Sequence, residues 1–134
     1  MGTLIEYLTV WAVGAACYGS IELMFRGFTH WSMFVTGGIC LMLLYIVETR
    51  GKEPLWQKWI MGAVIITTVE FVVGIIVNII LGWHVWDYSG MTPNLFGQIC
   101  LPFTLVWFLL SILAMKICQK LHLWFLRFSP RKAT

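Results

Sequence analysis

The sequence predicts an all-α integral membrane protein, a four-transmembrane-helix bundle with both termini in the cytoplasm. Three observations carry that prediction. Hydrophobic residues fill 60% of the 134 positions and charged residues only 11%, where soluble domains hold about 45–50% and about 25%. The apolar residues gather in four runs, at 5–25, 32–48, 59–82 and 99–118, each near the roughly 20 residues that cross a bilayer as a helix. The basic residues collect on one side of those runs. The chain reads as one membrane domain, 1–134, ending in a basic amphipathic tail at 119–134.

The first run follows Glu6 with no basic residue before it, and no small-residue cleavage pattern succeeds it. It is therefore expected to stay as a span rather than be removed as a signal. "RGFTHW" (26–31) turns the chain into the second run, where Gly37 and Gly38 suit close contact with another helix. "TRGKEPLWQKW" (49–59), with Gly51 and Pro54 as turn residues, leads into the third. That run carries Glu70 and breaks into the polar, aromatic "GWHVWDYSGMTPNLFG" (82–97) before the fourth. In the tail, Trp124 and Phe125 sit among Lys120, Arg127, Arg131 and Lys132. Such a segment is expected to lie along the inner leaflet, held by aromatic burial and anionic lipid.

Orientation follows from charge. Arg50, Lys52, Lys58, Lys116, Lys120, Arg127, Arg131 and Lys132 share one side of a four-span chain, and only Arg26 falls on the other. By the positive-inside rule the 49–58 loop and both termini are cytoplasmic, so "RGFTHW" and "WDYS" face outward together. The net charge of +3 is spread in the manner of a membrane protein and not of a nucleic-acid surface. Cys17, Cys40, Cys100 and Cys118 stand singly in apolar runs and read as small buried hydrophobes.

Polar groups inside the spans need a reason, because an ionisable residue at a helix centre costs roughly 2.5–3.5 kcal/mol on insertion scales. Glu70, Gly74 and Asn78 are four residues apart and share one helix face, with Gly74 leaving room between the two polar groups. In span one, Gly14, Tyr18, Glu22 and Arg26 repeat that interval, and Glu22 and Arg26 are placed to pair. His30 and Trp31 begin span two; Trp83, His84, Trp86, Asp87 and Tyr88 follow span three. Trp and Tyr favour the interface whatever their function. Glu22, Arg26, His30, His84 and Asp87 nonetheless fall at one outer depth, and a bundle would let them converge on a vestibule above Glu70.

No metal, cofactor or catalytic group is expected. HxxxH and HExxH spacings are absent, Ser20, Ser32, Ser89 and Ser111 lack a nucleophile-elbow setting, and no phosphate-binding or dinucleotide motif occurs.

The segments "SIELMFRGFTHWSMFVTGGICL" (20–41), "VEFVVGIIVNIILGWHVWDYS" (69–89) and "PNLFGQICLPFTLVWFLLS" (93–111) resemble the bacterial family of small four-span membrane proteins labelled putative ABC-transporter type IV, or putative ABC-transporter permease. The vertebrate transmembrane protein 229 group is a more distant likeness. The resemblance covers nearly all four spans. It matches the family pattern at Glu22, Arg26, Gly27, Thr29, His30, Trp31, Glu70, Gly74, Asn78, Trp86, Asp87, Tyr88, Ser89, Asn94, Gly97 and Gln98. It thus adds Asn94 and Gln98 to the candidate binding residues, implies transport across a bacterial cytoplasmic membrane, and supplies no substrate. Any ATP hydrolysis would belong to a separate partner subunit, docked on the 49–58 loop and the tail.

Three functions stay open on these grounds. The first is a permease-like or channel-like protein, in contact with membrane lipid and assembled as a homo-oligomer. In it an outward-facing polar vestibule leads to Glu70 and Asn78. The second is a scaffold or accessory subunit whose polar residues only fix helix register. The third is an intramembrane enzyme using Glu70, His30 or Asp87 as acid and base.

Overall fold

In hydrocarbon every backbone N–H and C=O must find its partner within the protein, and the four apolar runs meet that demand as helices. A computed structural model describes residues 2–128. In it α1 is Gly2–Arg26, α2 Trp31–Arg50, α3 Leu55–Gly74 and α4 Leu101–Phe128. With its continuation to Ile80, α3 joins the other three in being long and apolar enough to span a membrane.

All four helices begin before the expected runs or end after them. Many of the added end residues are polar or aromatic, among them Trp31, Thr49, Arg50, Trp56, Gln57 and Lys58, so hydropathy drops there before the helical hydrogen bonding does. The largest difference is in α4, expected to end at 118 and observed to continue to Phe128. Cys118 and Phe125 are buried in the bundle, so the tail is a continuation of α4 as far as 128. Its Arg131 and Lys132 lie outside the described residues. At about 1.5 Å per residue, the 28 residues of α4 outrun a hydrocarbon core of roughly 30 Å.

α3 runs without a break into a π-helical segment, Ile75–Ile80. The chain then returns through a loop at 81–100 that holds two short antiparallel strands, β1 Asn94–Leu95 and β2 Ile99–Cys100. α1 packs on α2, α3 packs on α4, and α2 touches both α3 and α4; α1 meets α4 at few places.

Small residues set the α1–α2 contact. A Cβ added to Gly14 would lie 2.6 Å from the Gly37 carbonyl, and one on Gly38 would lie 2.5 Å from the Trp11 indole. The Gly37–Gly38 pair is the helix-contact surface that its composition suggested. Val10, Leu41, Leu44, Tyr45, Met115 and Cys118 form the larger apolar core, and Met33, Val77, Val85 and Trp86 form a second one under the 81–100 loop.

Polar pairs close the end that carries the 51–54 turn. The Tyr45 hydroxyl donates to Glu6, and His122 Nδ1 lies 3.9 Å from the same carboxylate. Lys58 donates to the Glu48 carbonyl at 3.2 Å and Gln119 to the Glu48 carboxylate at 3.0 Å. These pairs tie α1, α2, α3 and α4 together at one level.

Candidate functional site

The 81–100 loop is built around Asn78. Its Oδ1 accepts from the backbone N–H groups of Val85 at 2.7 Å and Trp86 at 3.3 Å, and its Nδ2 donates to Gln98 Oε1 at 2.7 Å. Gln98 Nε2 donates in turn to the Phe96 carbonyl at 2.9 Å, and the Trp86 indole donates to the Gln98 carbonyl at 3.0 Å. Buried backbone amides that leave regular structure need such partners. One amide side chain serves two of them where the helix has ended.

Gly74 permits this packing, because a Cβ there would lie 2.6 Å from Gln98 Oε1 and 2.9 Å from the Trp86 ring. Asn94 holds the hairpin side, donating to the Met91 carbonyl at 2.9 Å and accepting from Gly97 N–H at 3.0 Å. Gly97 has φ +70° and a Cβ on it would lie 2.9 Å from Asp87 Oδ1, so a side chain is excluded by both conformation and space.

Glu70 lies beneath this cap, 4% exposed. Its Oε1 accepts from the Trp107 indole at 3.2 Å and its Oε2 from the Tyr88 hydroxyl at 3.1 Å. Tyr88 stacks on Phe103 with ring centroids 5.0 Å apart, and Phe103 leans on Trp107 at 5.9 Å. Burial and the adjacent Glu70 carboxylate hold the Tyr88 phenol well above its ordinary range, so it remains a proton donor. A cavity of about 430 Å3 opens between α1 and α4 with α2 and α3 at its back, and Glu70 is the one ionisable carboxylate among its lining residues.

The other predicted residues divide into separate groups. Glu22 is buried and its Oε2 lies 3.1 Å from Arg26 Nη1, while Arg26 Nη2 donates to the Val85 carbonyl at 2.7 Å. Arg26 thereby ties α1 to the loop, and its guanidinium also covers the Phe28 ring at 4.5 Å. His30 caps α2: its Nδ1 accepts from Ser32 N–H at 3.2 Å and pairs with the Ser32 hydroxyl at 2.7 Å. Its ring lies 5.5 Å from Trp31 and 5.6 Å from Trp83, a small aromatic cluster at helix-end level.

Asp87 is exposed and turned into its own loop, accepting from Ser89 N–H at 2.9 Å. The Ser89 backbone and side chain, with His84 nearby, hold the Asp87 carboxyl below the usual range. His84 itself is exposed. The structure therefore brings Glu70 to Tyr88, Asn78 to Gln98 and Trp86, and Glu22 to Arg26. Of the twelve candidates only Glu70 lines the cavity.

Two residues at the site were not singled out as binding residues from sequence. Tyr18, one turn before Glu22 on α1, lines the cavity with Glu70 and Trp107, its ring centroid 6.1 Å from that of Trp107. Trp107 sits in an apolar run where an indole has no distinguishing pattern. Tyr18 did carry a signal, as a member of the Gly14–Tyr18–Glu22–Arg26 stripe. Among the described residues, no three His, Cys, Asp or Glu side chains gather as a metal would require.

Comparison with curated proteins and comparison with solved structures return no match. A family model described as putative ABC-transporter type IV matches residues 1–134. With four membrane-length helices and that match over its whole given length, the chain belongs to the putative ABC-transporter type IV family.

Proposed function

We propose that this membrane transport-type protein moves its substrate past Glu70, with the 81–100 loop as the cap over that carboxylate. The observation that supports the reading most is the cavity: an acid stands in the wall of an apolar space of about 430 Å3. Ionisable groups within spans are rare, face the bundle interior or a cavity, and mark substrate or ion pathways.

The expected outward-facing vestibule takes a narrower form in this proposal. Glu22, Arg26 and His30 stand beside the cap, which itself carries His84 and Asp87, and Tyr88 links it to Glu70 through one hydrogen bond. Loss of that bond when Glu70 changes partner or protonation state would loosen the cap on its outward side. With four spans in one chain, a second copy completes the pathway in this proposal.

The complete hydrogen bonding around Asn78 and Gln98 favours a second reading, in which these polar groups only hold the fold of an accessory subunit. Flux separates the two. Purified wild type and Glu70→Gln are reconstituted in liposomes and assayed with a panel of labelled cations, anions, zwitterions and lipophilic solutes. Transport predicts flux of at least one solute above empty vesicles, returning to the empty-vesicle rate in Glu70→Gln while its thermal unfolding stays near wild type. Wild-type rates equal to empty vesicles across the panel favour the accessory subunit.

A further inference from the structure

The cavity between α1 and α4 has a chemistry that neither the cap nor the helix packing requires. Apart from Glu70 its walls are apolar or uncharged, and among the described residues no lysine or arginine lines it. The rings of Tyr18 and Trp107 stand beside the acid, with centroids 6.1 Å apart at 66°. On the open side, Cys17 is exposed and Leu113 is 54% exposed, on surfaces that face hydrocarbon when the helices span a membrane. A molecule already dissolved in the bilayer reaches Glu70 by this route without crossing the cap.

We infer that this cavity is a binding site for a lipophilic cation, with its apolar body between α1 and α4 and its positive centre against Glu70, Tyr18 and Trp107. The inference rests on the reading of Glu70 as the group that substrate meets.

Charge complementarity selects this occupant. A carboxylate buried in apolar surroundings is costly unless paired, and the one guanidinium nearby, Arg26, is already engaged by Glu22 at 3.1 Å and the Val85 carbonyl at 2.7 Å. Each Glu70 oxygen accepts one protein hydrogen bond and retains capacity for a further contact. Aromatic faces attract a cation through their quadrupoles. A lipophilic anion would meet Glu70 with Glu22 behind it, and a hydrated solute would find too few polar groups to replace its water. A neutral acyl chain would fit the walls and leave the acid without use. The volume of about 430 Å3 lies within the range of about 300–1,000 Å3 typical of small-molecule sites.

Two ions of one shape and opposite charge provide the test: tetraphenylphosphonium and tetraphenylborate, each titrated against the purified full chain in lipid nanodiscs. Saturable binding of the phosphonium and none of the borate is expected. Glu70→Gln, checked by thermal unfolding, should weaken phosphonium binding about tenfold or more, the scale of one charge-assisted contact. Ala114→Phe, which fills the cavity and keeps the acid, should abolish it, and carries the test alone where Glu70→Gln does not fold.

Equal binding of both ions, binding of neither, or phosphonium binding undiminished in Ala114→Phe overturns the assignment. Glu70-dependent flux of another solute, with no phosphonium binding, overturns the cation site and leaves transport standing. Saturable phosphonium binding with no flux of any solute upholds the site and removes the transport reading.

Discussion

Asn78 shows most clearly how a polar residue in a greasy helix acquires its purpose. Its place four residues beyond Gly74 and eight beyond Glu70 puts it on a face. Its partners, Val85, Trp86 and Gln98, arrive only when the loop folds back. Asn78→Ala leaves two backbone N–H groups and the Gln98 side-chain Oε1 without that partner. A loss of about 1–3 kcal/mol for each group left buried and unsatisfied is expected, read as a lowered thermal unfolding midpoint in detergent.

Asp87 should behave differently, because it is exposed and serves only its own turn. Its carboxyl is held below the usual range, so its contribution is present above the ordinary carboxylate pKa of about 3.9 and is lost as pH falls through the lower folded value. Protection of the Ser89 amide, its exchange rate taken relative to that of an unstructured amide at the same pH, should therefore stay constant from about pH 8 to pH 5 and fall only in stronger acid. A fall near neutrality would mean that another group controls the turn. The Tyr88–Glu70 bond spans 18 residues, and no local spacing could have announced it.

At the scale of elements, a close helix contact at Gly37–Gly38 was legible, though not its partner α1, and the end of α3 was not. Gly37 and Gly38 are small residues in an otherwise bulky run, and small residues in spans mark close helix approach. Gly14→Ala would place its Cβ 2.6 Å from the Gly37 carbonyl and from Leu41 Cβ. Overpacking of that kind costs about 1–3 kcal/mol and should lower the unfolding midpoint clearly. Gly90→Ala, where nothing lies within 4 Å, should leave it nearly unchanged.

The π-helical segment Ile75–Ile80 reads IIVNII, apolar on every side except Asn78. Its hydropathy is the same for either helix type, and only the demand of the returning loop distinguishes them. The tail shares this problem. Trp124, Phe125 and Arg127 mark an amphipathic stretch, and the pattern does not say whether its apolar side meets lipid or the bundle that buries Phe125.

For the whole molecule, charge asymmetry predicts the 49–58 loop in the cytoplasm and the cap outside. Single cysteines test this arrangement with a membrane-impermeant thiol reagent. Gly90→Cys should be labelled on intact cells and Lys52→Cys only after permeabilisation. The opposite pattern would invert the protein and turn the cap toward the cytoplasm. Either result leaves the helix packing unchanged, because the contacts among α1, α2, α3 and α4 depend on side-chain shape and not on which side carries the loops.

The four spans were determined by the sequence alone, because the bilayer admits few ways to satisfy a backbone and about 20 apolar residues leave only one. The family was legible for the same reason that its motifs are dense: "RGFTHW", "WDYS" and "NLFGQIC" cluster at helix ends, where specific contacts are made. Tertiary structure alone decided what the polar residues do. It spent Asn78, Gln98 and Asn94 on holding a loop, gave His30 to a helix cap, and left Glu70 in the wall of an apolar cavity. The physical reason is that a hydrogen bond and a cavity are relations between distant segments. Spacing along one helix fixes which face a group occupies, and the neighbour that meets that face is set by how the helices pack.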